Sequence, residues 1–184
     1  MNIMVTGHRP QHIPVGAEAY VKAAFVLFLN AVACECALPV SGVMLISGMA
    51  VGSDQWCAEA ALDVGAPVWA AIPFPGQENV WGKVAQDRYR KTLARCTQKH
   101  MVSSRAPLDS RDATRMLLAR DAWMVERAQA AFAVWSGKRS GGTFHTLEGL
   151  VSHNVRTGVL LVPPGGQWEC VDLTTAYTRT GRAA

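Results

Sequence analysis

Short apolar runs alternate with longer amphipathic stretches along the whole chain. Each run ends in a small or polar residue and predicts a strand, over 2–6, 43–47, 66–72, 100–103, 130–135 and 158–162. Helices are predicted between them, over 15–38, 53–64, 81–96, 109–128 and 142–156. Most of the strands lack polar positions, which is typical of parallel sheets that helices cover on both faces. We therefore predict a single α/β domain with a Rossmann-like, doubly wound and mainly parallel sheet.

The predicted domain spans residues 1–166, and residues 167–184 are expected to form a partly flexible C-terminal extension. The sixth strand is expected to end at Pro163-Pro164-Gly165-Gly166. The polar tail from residue 174 onward is expected to fray, as chain ends commonly do.

The first predicted helix is apolar around much of its circumference. One stripe consists of Tyr20, Ala24, Leu27, Ala31 and Cys34, and a second consists of Val21, Phe25, Phe28 and Val32. Such a helix is either deeply buried or part of a subunit interface. We expect a homodimer or a larger symmetric oligomer, whose contact includes Phe25, Phe28, Leu29 and Val32. The alternative is that the second stripe packs on the helix over 109–128.

Composition excludes several classes of protein. The chain has 184 residues, 49% of them hydrophobic and 17% charged, which excludes an intrinsically disordered protein. Its net charge is +4, and its 18 Lys and Arg residues are scattered. Nucleic-acid binding requires clustered basic residues, so the scatter argues against that function. The densest basic stretch, 88–95, is expected to be a solvated helix face, with an anion-binding or nucleic-acid-binding patch as the alternative.

The five cysteines include no Cys-x-x-Cys pair, and no His, Cys or Asp cluster has metal-ligand spacing. We therefore expect reduced thiols and no metal, and no cofactor is predicted. The N-terminus lacks the features of a signal peptide, and no apolar run reaches the ~18 residues of a membrane span. A cytoplasmic protein without membrane contact is expected.

Polar and small residues follow most of the predicted strands. In open α/β sheets, ligands bind beyond the carboxyl ends of the strands. The candidate ligand-binding residues from the first three strand ends are Gly7, His8, Arg9, Ser47, Gly48, Met49, Asp54 and Pro73. Asp54 is interpreted either as a first-turn acid that complements the helix dipole or as an acceptor for a ribose hydroxyl. Arg9 is interpreted as a phosphate ligand or as a member of a surface ion pair.

A second candidate lies at the start of the last predicted helix. Gly141, Gly142 and Thr143 follow Ser140 there, and free N–H groups at a helix start form a phosphate site. The alternative is a glycine loop that only makes a tight turn. Another glycine loop, 47–52, also precedes a helix. Neither loop matches the Walker A motif or Gly-x-Gly-x-x-Gly.

Residues 47–62 resemble the signature of the SLOG superfamily, which contains the DprA/Smf DNA-processing proteins, the YpsA-like proteins and the LOG phosphoribohydrolases. Thr6-Gly7-His8-Arg9-Pro10 is similar to the first-strand loop of that superfamily. The segments 72–77, 123–125, 133–135 and 141–143 follow in the order of the YpsA-like branch, which includes relatives carried by phages. The resemblance covers residues 1–164 and implies a Rossmann-like fold with a nucleotide-derived ligand. For a phage-encoded member, the location would be the host cytoplasm.

The LOG enzymes use an arginine and a glutamate, and the matching positions in this chain are Arg120 and Glu148. These are the catalytic candidates if the protein is an enzyme. The loop before Glu148 lacks the family's proline and its Gly-x-Gly-Thr step, and the helix has Asp121 where the family has lysine. These departures favour a sensor or sequestering protein that binds a nucleotide. The alternatives are a LOG-like hydrolase that cleaves the N-glycosidic bond of a nucleoside monophosphate or ADP-ribose-like substrate, and a DprA-like binder of single-stranded DNA.

Overall fold

The computed structural model describes residues 1–162 and 167–181. The strands are β1 (Asn2–Gly7), β2 (Met44–Ser47), β3 (Val68–Ile72), β4 (Gln98–Met101), β5 (Ala130–Trp135), β6 (Arg156–Leu161) and β7 (Glu169–Asp172). The helices are α1 (Glu18–Glu35), α2 (Ser53–Asp63), α3 (Lys83–Arg95), α4 (Ser110–Val125), α5 (Gly142–Ser152) and α6 (Leu173–Gly181). Each strand and helix expected from the pattern is present, with ends shifted by a few residues, and β7 and α6 are additional.

The strands form one sheet of seven, in the order β4-β3-β2-β1-β5-β6-β7. All neighbours are parallel except β6 and β7, which are antiparallel. From β1 the chain builds outward through β2, β3 and β4, and then returns to the other side of β1 with β5. The order reverses between β1 and β5, and such a switch point is where open α/β sheets open a crevice for ligands.

Alternate residues of each strand face opposite helix layers. Ile3, Val5 and Phe132 belong to the core under α1, α2 and α3. Met4 and Trp135 belong to the core under α4, α5 and α6. This two-sided burial explains why the strands are almost continuously apolar, and it confirms the predicted α/β class with helices on both faces.

Helix α1 places its second apolar stripe in the core. Phe25 and Leu29 are fully buried, and the ring of Phe28 lies 5.5 Å from that of Phe132. Among the residues predicted for the subunit contact, Phe25, Leu29 and Val32 are therefore buried inside the protomer, and Phe28 is partly buried against the core. The stripe does not pack on α4, because the two helices lie on opposite faces of the sheet. Leu27, from the first stripe, is 72% exposed.

Residues 167–181 complete the sheet rather than forming an extension. Strand β7 pairs with β6, and Leu173 and Ala176 of α6 are buried in the core of that face. The predicted boundary at residue 166 and the fraying expected from residue 174 are therefore corrected for this segment. The strand end predicted at 163–166 and the chain end at 182–184 lie outside the described residues.

Across residues 1–162 and 167–181, the helices are all too short or too polar to cross a membrane.

Candidate functional site

A cavity of about 730 Å³ lies at the switch point, beyond the carboxyl ends of β1 and β5. Its walls come from both strand ends, from the first turns of α2 and α5, and from α4. Cavities of this volume hold small ligands such as nucleotides. The lining residues are Val5, Thr6, Gly7, His8, Arg9, Gln11, His12, Ala50, Asp54, Thr114, Leu117, Leu118, Arg120, Asp121, Ser136, Lys138, Ser140, Gly141, Gly142, Thr143 and His145.

Two glycines bring helix α2 close to the end of β1. A Cβ atom at Gly7 would lie 2.7 Å from Ser53 Cβ, so a side chain there would push α2 away. Gly52 precedes α2 with φ of 103°, a backbone conformation that L side chains rarely adopt. The close approach places Asp54, in the first turn of α2, at the cavity wall.

His8 connects the loops that follow β1 and β5. Its Nε2 atom accepts a hydrogen bond of 2.9 Å from the Ser136 backbone N–H and lies 2.8 Å from Ser136 Oγ. Burial, with smaller contributions from the positive charges of His12 and Lys138, lowers the pKa of His8 to about 4. The ring is therefore neutral at pH 7, with its proton on Nδ1. His8 positions the two loops and adds no positive charge for a phosphate.

Arg120 reaches from α4 to the end of β2. Its Nη1 atom donates a hydrogen bond of 2.5 Å to the Gly48 carbonyl oxygen, and the residue is only 5% exposed. Its Nε atom lies 2.7 Å from Asp121 Oδ1, but the geometry is that of an ion pair and not of a hydrogen bond. The Nε–H group therefore has no hydrogen-bond acceptor among the described residues. A buried donor without a hydrogen-bond acceptor in a residue of the cavity wall is a candidate contact for a ligand or a water molecule.

Asp54 is a buried carboxyl group whose side chain lines the same wall. Burial, with a smaller contribution from the charge of Asp121, raises the pKa of Asp54 to about 7. Arg120, the Ala50 backbone N–H and Arg9 act in the opposite direction. Near neutral pH the group is therefore partly protonated, so it both accepts and donates hydrogen bonds. A carboxyl group with a perturbed pKa in a cleft is typical of functional sites.

Helix α5 begins at the cavity without a side-chain cap. Gly141 precedes it with φ of 87°, and nothing lies within 4 Å of the position that a Cβ would take at Gly142. The first N–H groups of a helix have no acceptor within the helix, and the helix dipole makes this end positive. The start of α5 is therefore suited to an anion.

The mouth of the cavity is basic. Arg9 and Lys138 are exposed side chains at its edge. Together with Arg120 they give three positive charges against the two carboxyl groups of Asp54 and Asp121. The charged groups that line the cavity are therefore more basic than acidic, which favours an anionic ligand.

The structure brings most of the predicted site residues together. Those that line the cavity are Gly7, His8, Arg9, Asp54, Arg120, Gly141, Gly142 and Thr143. Ser47, Gly48 and Met49 are buried behind the wall, where Ser47 Oγ accepts from the Met49 N–H and donates to the Asp54 carbonyl oxygen.

Two predicted residues lie elsewhere. Pro73 is buried at the end of β3, and its carbonyl oxygen accepts a hydrogen bond from the Ser103 N–H. Glu148 is exposed on α5 and is not a lining residue, and its charge acts on Tyr177 of α6. The carboxylate that the LOG resemblance would use is therefore outside the cavity.

Sequence reasoning missed Lys138 and the residues that α4 contributes. Lys138 lies in the loop that begins after β5, so its position close to a strand end was a usable signal. Thr114, Leu117, Leu118 and Asp121 recur at helical spacing, which places them on one face of α4. Nothing in the sequence indicates that this face borders a cavity.

Among the side chains of residues 1–162 and 167–181, no three His, Cys, Asp or Glu come together as a metal site would need.

No protein-family model matches the chain, and no curated protein sequence matches it significantly. Among solved structures, it is similar to the X-ray structure of DNA processing protein A (DprA) from Streptococcus pneumoniae, with a TM-score of 0.62 and 16% sequence identity. The match covers 97% of this chain and 53% of that chain, so this chain spans about half the length of DprA. The similarity is one of fold: the chain has a Rossmann-like α/β fold similar to part of DNA processing protein A.

Proposed function

We propose that the protein binds a nucleotide or a nucleotide-derived small molecule in the switch-point cavity, as a sensor or a sequestering protein. One observation carries the proposal. Buried Arg120, whose Nε–H has no hydrogen-bond acceptor among the described residues, and the uncapped start of α5 line the same cavity. A buried arginine on one helix and the positive start of another are unlike a simple turn, and they favour an anionic ligand such as a nucleotide.

The rest of the lining suits the other parts of a nucleotide. Leu117 and Leu118 supply an apolar wall on α4 for a base. Arg9 and Lys138 at the mouth attract an anionic ligand. The volume of about 730 Å³ lies within the range of small-molecule sites.

The position of Glu148 supports binding over N-glycosidic hydrolysis. A carboxylate must reach the reacting atoms to stabilise a ribose cation or activate water. Glu148 is exposed and outside the cavity lining. We expect no base release from AMP by chromatography, and no difference between wild type and Glu148→Ala. Base release that is lost in Glu148→Ala would favour the enzyme.

A second candidate is the binding of single-stranded DNA, which the similarity of fold to DNA processing protein A favours. The exposed basic residues at the mouth, Arg9 and Lys138, are the contacts that it would use. They are few, and phosphate contacts weaken steeply with salt. A gel shift with single-stranded DNA at low salt tests this candidate. Retention that AMP does not displace would favour it over a nucleotide site.

Isothermal titration with AMP, ADP-ribose and cyclic AMP tests the main proposal. Binding should be lost in Gly142→Asp, because the added carboxylate occupies the start of α5, where a phosphate would lie. The variant should fold, since nothing lies within 4 Å of the new Cβ. Gly82→Asp is the matched control: Gly82 caps α3 outside the cavity and also has open space.

Absence of heat with these three ligands and with the 5′-monophosphates of the other bases at millimolar concentration contradicts the proposal. Unchanged affinity in folded Gly142→Asp would mean that the loop is only a turn. Mass spectrometry of small molecules released from the purified protein by heat is an independent measurement of the ligand class.

A further inference from the structure

The cavity has two ends of different chemistry. At the mouth lie the exposed Arg9 and Lys138 and the start of α5. At the buried wall lie Asp54, which is 7% exposed, and Asp121, whose side chain is 16% exposed. We propose that the ligand is a ribonucleotide, bound with its phosphate at the start of α5 and its ribose hydroxyls on Asp54. This inference rests on the proposed function and adds the sugar class and the orientation.

Asp54 is available to a hydrogen-bond donor. Its carboxyl group accepts a hydrogen bond from the Ala50 N–H, and it has no ion-pair partner within 4.0 Å among the described residues. Arg120 is close to Asp54, but its Nε atom pairs with Asp121. A carboxylate has about four acceptor positions, so most of those on Asp54 are free.

A largely buried carboxylate with a single hydrogen bond is poorly stabilised, and a ligand donor adds a second partner. A phosphate cannot do this, because its charge repels the carboxylate. The phosphate is therefore placed at the other end of the cavity, where Lys138 and the α5 N–H groups attract it.

A ribose fits the Asp54 wall better than a base does. The 2′- and 3′-hydroxyls are adjacent donors, and one carboxylate accepts two parallel hydrogen bonds. The apolar wall of Leu117 and Leu118 remains for the base. Asp121 already accepts from Thr146 Oγ1 at 3.3 Å and pairs with Arg120, so Asp54 is the acceptor that the ligand satisfies.

Titration calorimetry with matched pairs of 5′-monophosphates tests the inference. The pairs are the ribo- and 2′-deoxyribonucleotides of adenine, guanine, cytosine and uracil, measured at pH 8 so that Asp54 is mostly ionised. For the base that binds best, the ribonucleotide should bind at least about tenfold more tightly, because a site built to pair a hydroxyl rejects the analogue that lacks it. This ratio is measured on the wild-type protein, so the test does not depend on the folding of any variant.

Asp54→Asn should reduce the ratio to about threefold or less, since the amide keeps one acceptor oxygen and loses the charge. Asp63→Asn is the matched control, because Asp63 lies at the exposed end of the same helix and pairs with Arg95. Its ratio should equal that of wild type. Circular dichroism establishes that both variants are folded.

Equal affinity for ribo- and deoxyribonucleotides overturns the inference and leaves nucleotide binding in place. A folded Asp54→Asn variant that keeps the wild-type ratio of ribonucleotide to deoxyribonucleotide affinity also overturns it, because another group would then recognise the ribose. No binding by any of the eight nucleotides contradicts the proposed function, and this inference with it.

Discussion

The guanidinium group of Arg120 occupies the space that a side chain at Gly48 would fill. A Cβ atom built on Gly48 would lie 1.8 Å from Arg120 Nη1 and 2.4 Å from its Cζ. The same Nη1 atom donates a 2.5 Å hydrogen bond to the Gly48 carbonyl oxygen. Because residue 48 is a glycine, the Arg120 side chain from α4 can reach the end of β2 and form part of the cavity wall.

Gly48→Ala should displace Arg120 and weaken nucleotide binding at least about tenfold. The methyl group and the guanidinium cannot share the space, and overpacking of this kind costs about 1–3 kcal/mol of stability. Titration calorimetry measures the affinity, and urea denaturation measures the free energy of unfolding.

The control is Gly82→Ala, since nothing lies within 4 Å of a Cβ there and Gly82 is not a lining residue of the cavity. A double-mutant cycle with Arg120→Ala gives a sharper result: once the guanidinium is removed, Gly48→Ala should destabilise much less. Additive effects in that cycle would show that the two residues do not compete for space.

Asp54→Asn should stabilise the protein increasingly between pH 4 and pH 7. The pKa of Asp54 is raised from 3.8 to about 7 in the folded state, so in this window the folded protein binds more protons than the unfolded chain. The free energy of unfolding of the wild-type protein therefore falls as pH rises and Asp54 ionises. Asparagine does not ionise, so the variant does not lose this stability. The difference between variant and wild type should approach zero near pH 4 and reach about 4 kcal/mol above pH 7 as an upper value.

The measured quantity must be the difference in free energy of unfolding between Asp54→Asn and wild type at each pH, because His8 changes the stability of both proteins with pH in the opposite direction. Its folded pKa is lowered to about 4, so it makes stability rise with pH between about 4 and 6.5. Urea denaturation of both proteins at several pH values separates the two effects. A difference that does not change with pH would show that Asp54 is ionised normally.

Phe28→Glu should unfold or aggregate the protein. Phe28 packs on Phe132, and its ring lies 3.0 Å from the position of a Cβ at Gly158. Placing a carboxylate there costs about 3 kcal/mol or more. Thermal unfolding monitored by circular dichroism measures the effect. Leu27→Glu is the matched control on the same helix, because Leu27 is 72% exposed, and it should leave stability within about 0.5 kcal/mol.

The same pair of variants tests self-association, which remains a prediction. If the chain is a homo-oligomer through α1, the exposed Tyr20 and Leu27 are its available apolar contacts. Light scattering should then show a folded monomer for Leu27→Glu. A monomeric wild type at tens of micromolar contradicts the oligomer, and a folded monomeric Phe28→Glu contradicts the core assignment.

Tyr177→Ala should weaken nucleotide binding although Tyr177 is outside the cavity lining. Helix α6 packs on the loop that follows β5: the Tyr177 ring lies 5.5 Å from that of Trp135, and Arg139 Nη2 donates a 2.9 Å hydrogen bond to the Tyr177 carbonyl oxygen. Loss of the ring releases the loop that carries Lys138. We expect a several-fold loss of affinity and about 2 kcal/mol of destabilisation.

Thr178→Ala is the control for that experiment, since Thr178 is exposed on the same helix. Titration calorimetry and urea denaturation are the measurements. Destabilisation of Tyr177→Ala with unchanged affinity, measured where the variant is folded, would show that α6 does not position the loop.

Local pattern was sufficient for the strands and for most of the helices. The run 130–135 is apolar at every position because both of its faces are buried, and it forms β5 with the bounds that the pattern predicts. The polar segment 167–181 gave no such signal. It forms β7 and α6 because β6 offers it an edge and the α5 face offers it an apolar surface, and neither is visible in its own residues.

The candidate site residues were chosen by the rule that open α/β sheets bind ligands beyond the carboxyl ends of their strands. The tertiary structure decided which of these candidates line the same cavity. Residues that follow β1 and begin α5 reach the cavity, since it lies at the β1–β5 switch point. Pro73 follows β3, two strands away from β1, and Glu148 has turned away from the cavity along α5.

The sequence by itself determined the α/β class, the parallel sheet and the glycine-led starts of α2 and α5, because burial on two faces and positive φ each restrict residue type locally. Only the tertiary structure decided the pairing of Arg120 with Gly48, the burial of Asp54 and the turning of Phe28 into the core. These depend on which helix faces which end of the sheet, and that follows from contacts between residues such as Gly48 and Arg120 that lie far apart along the chain.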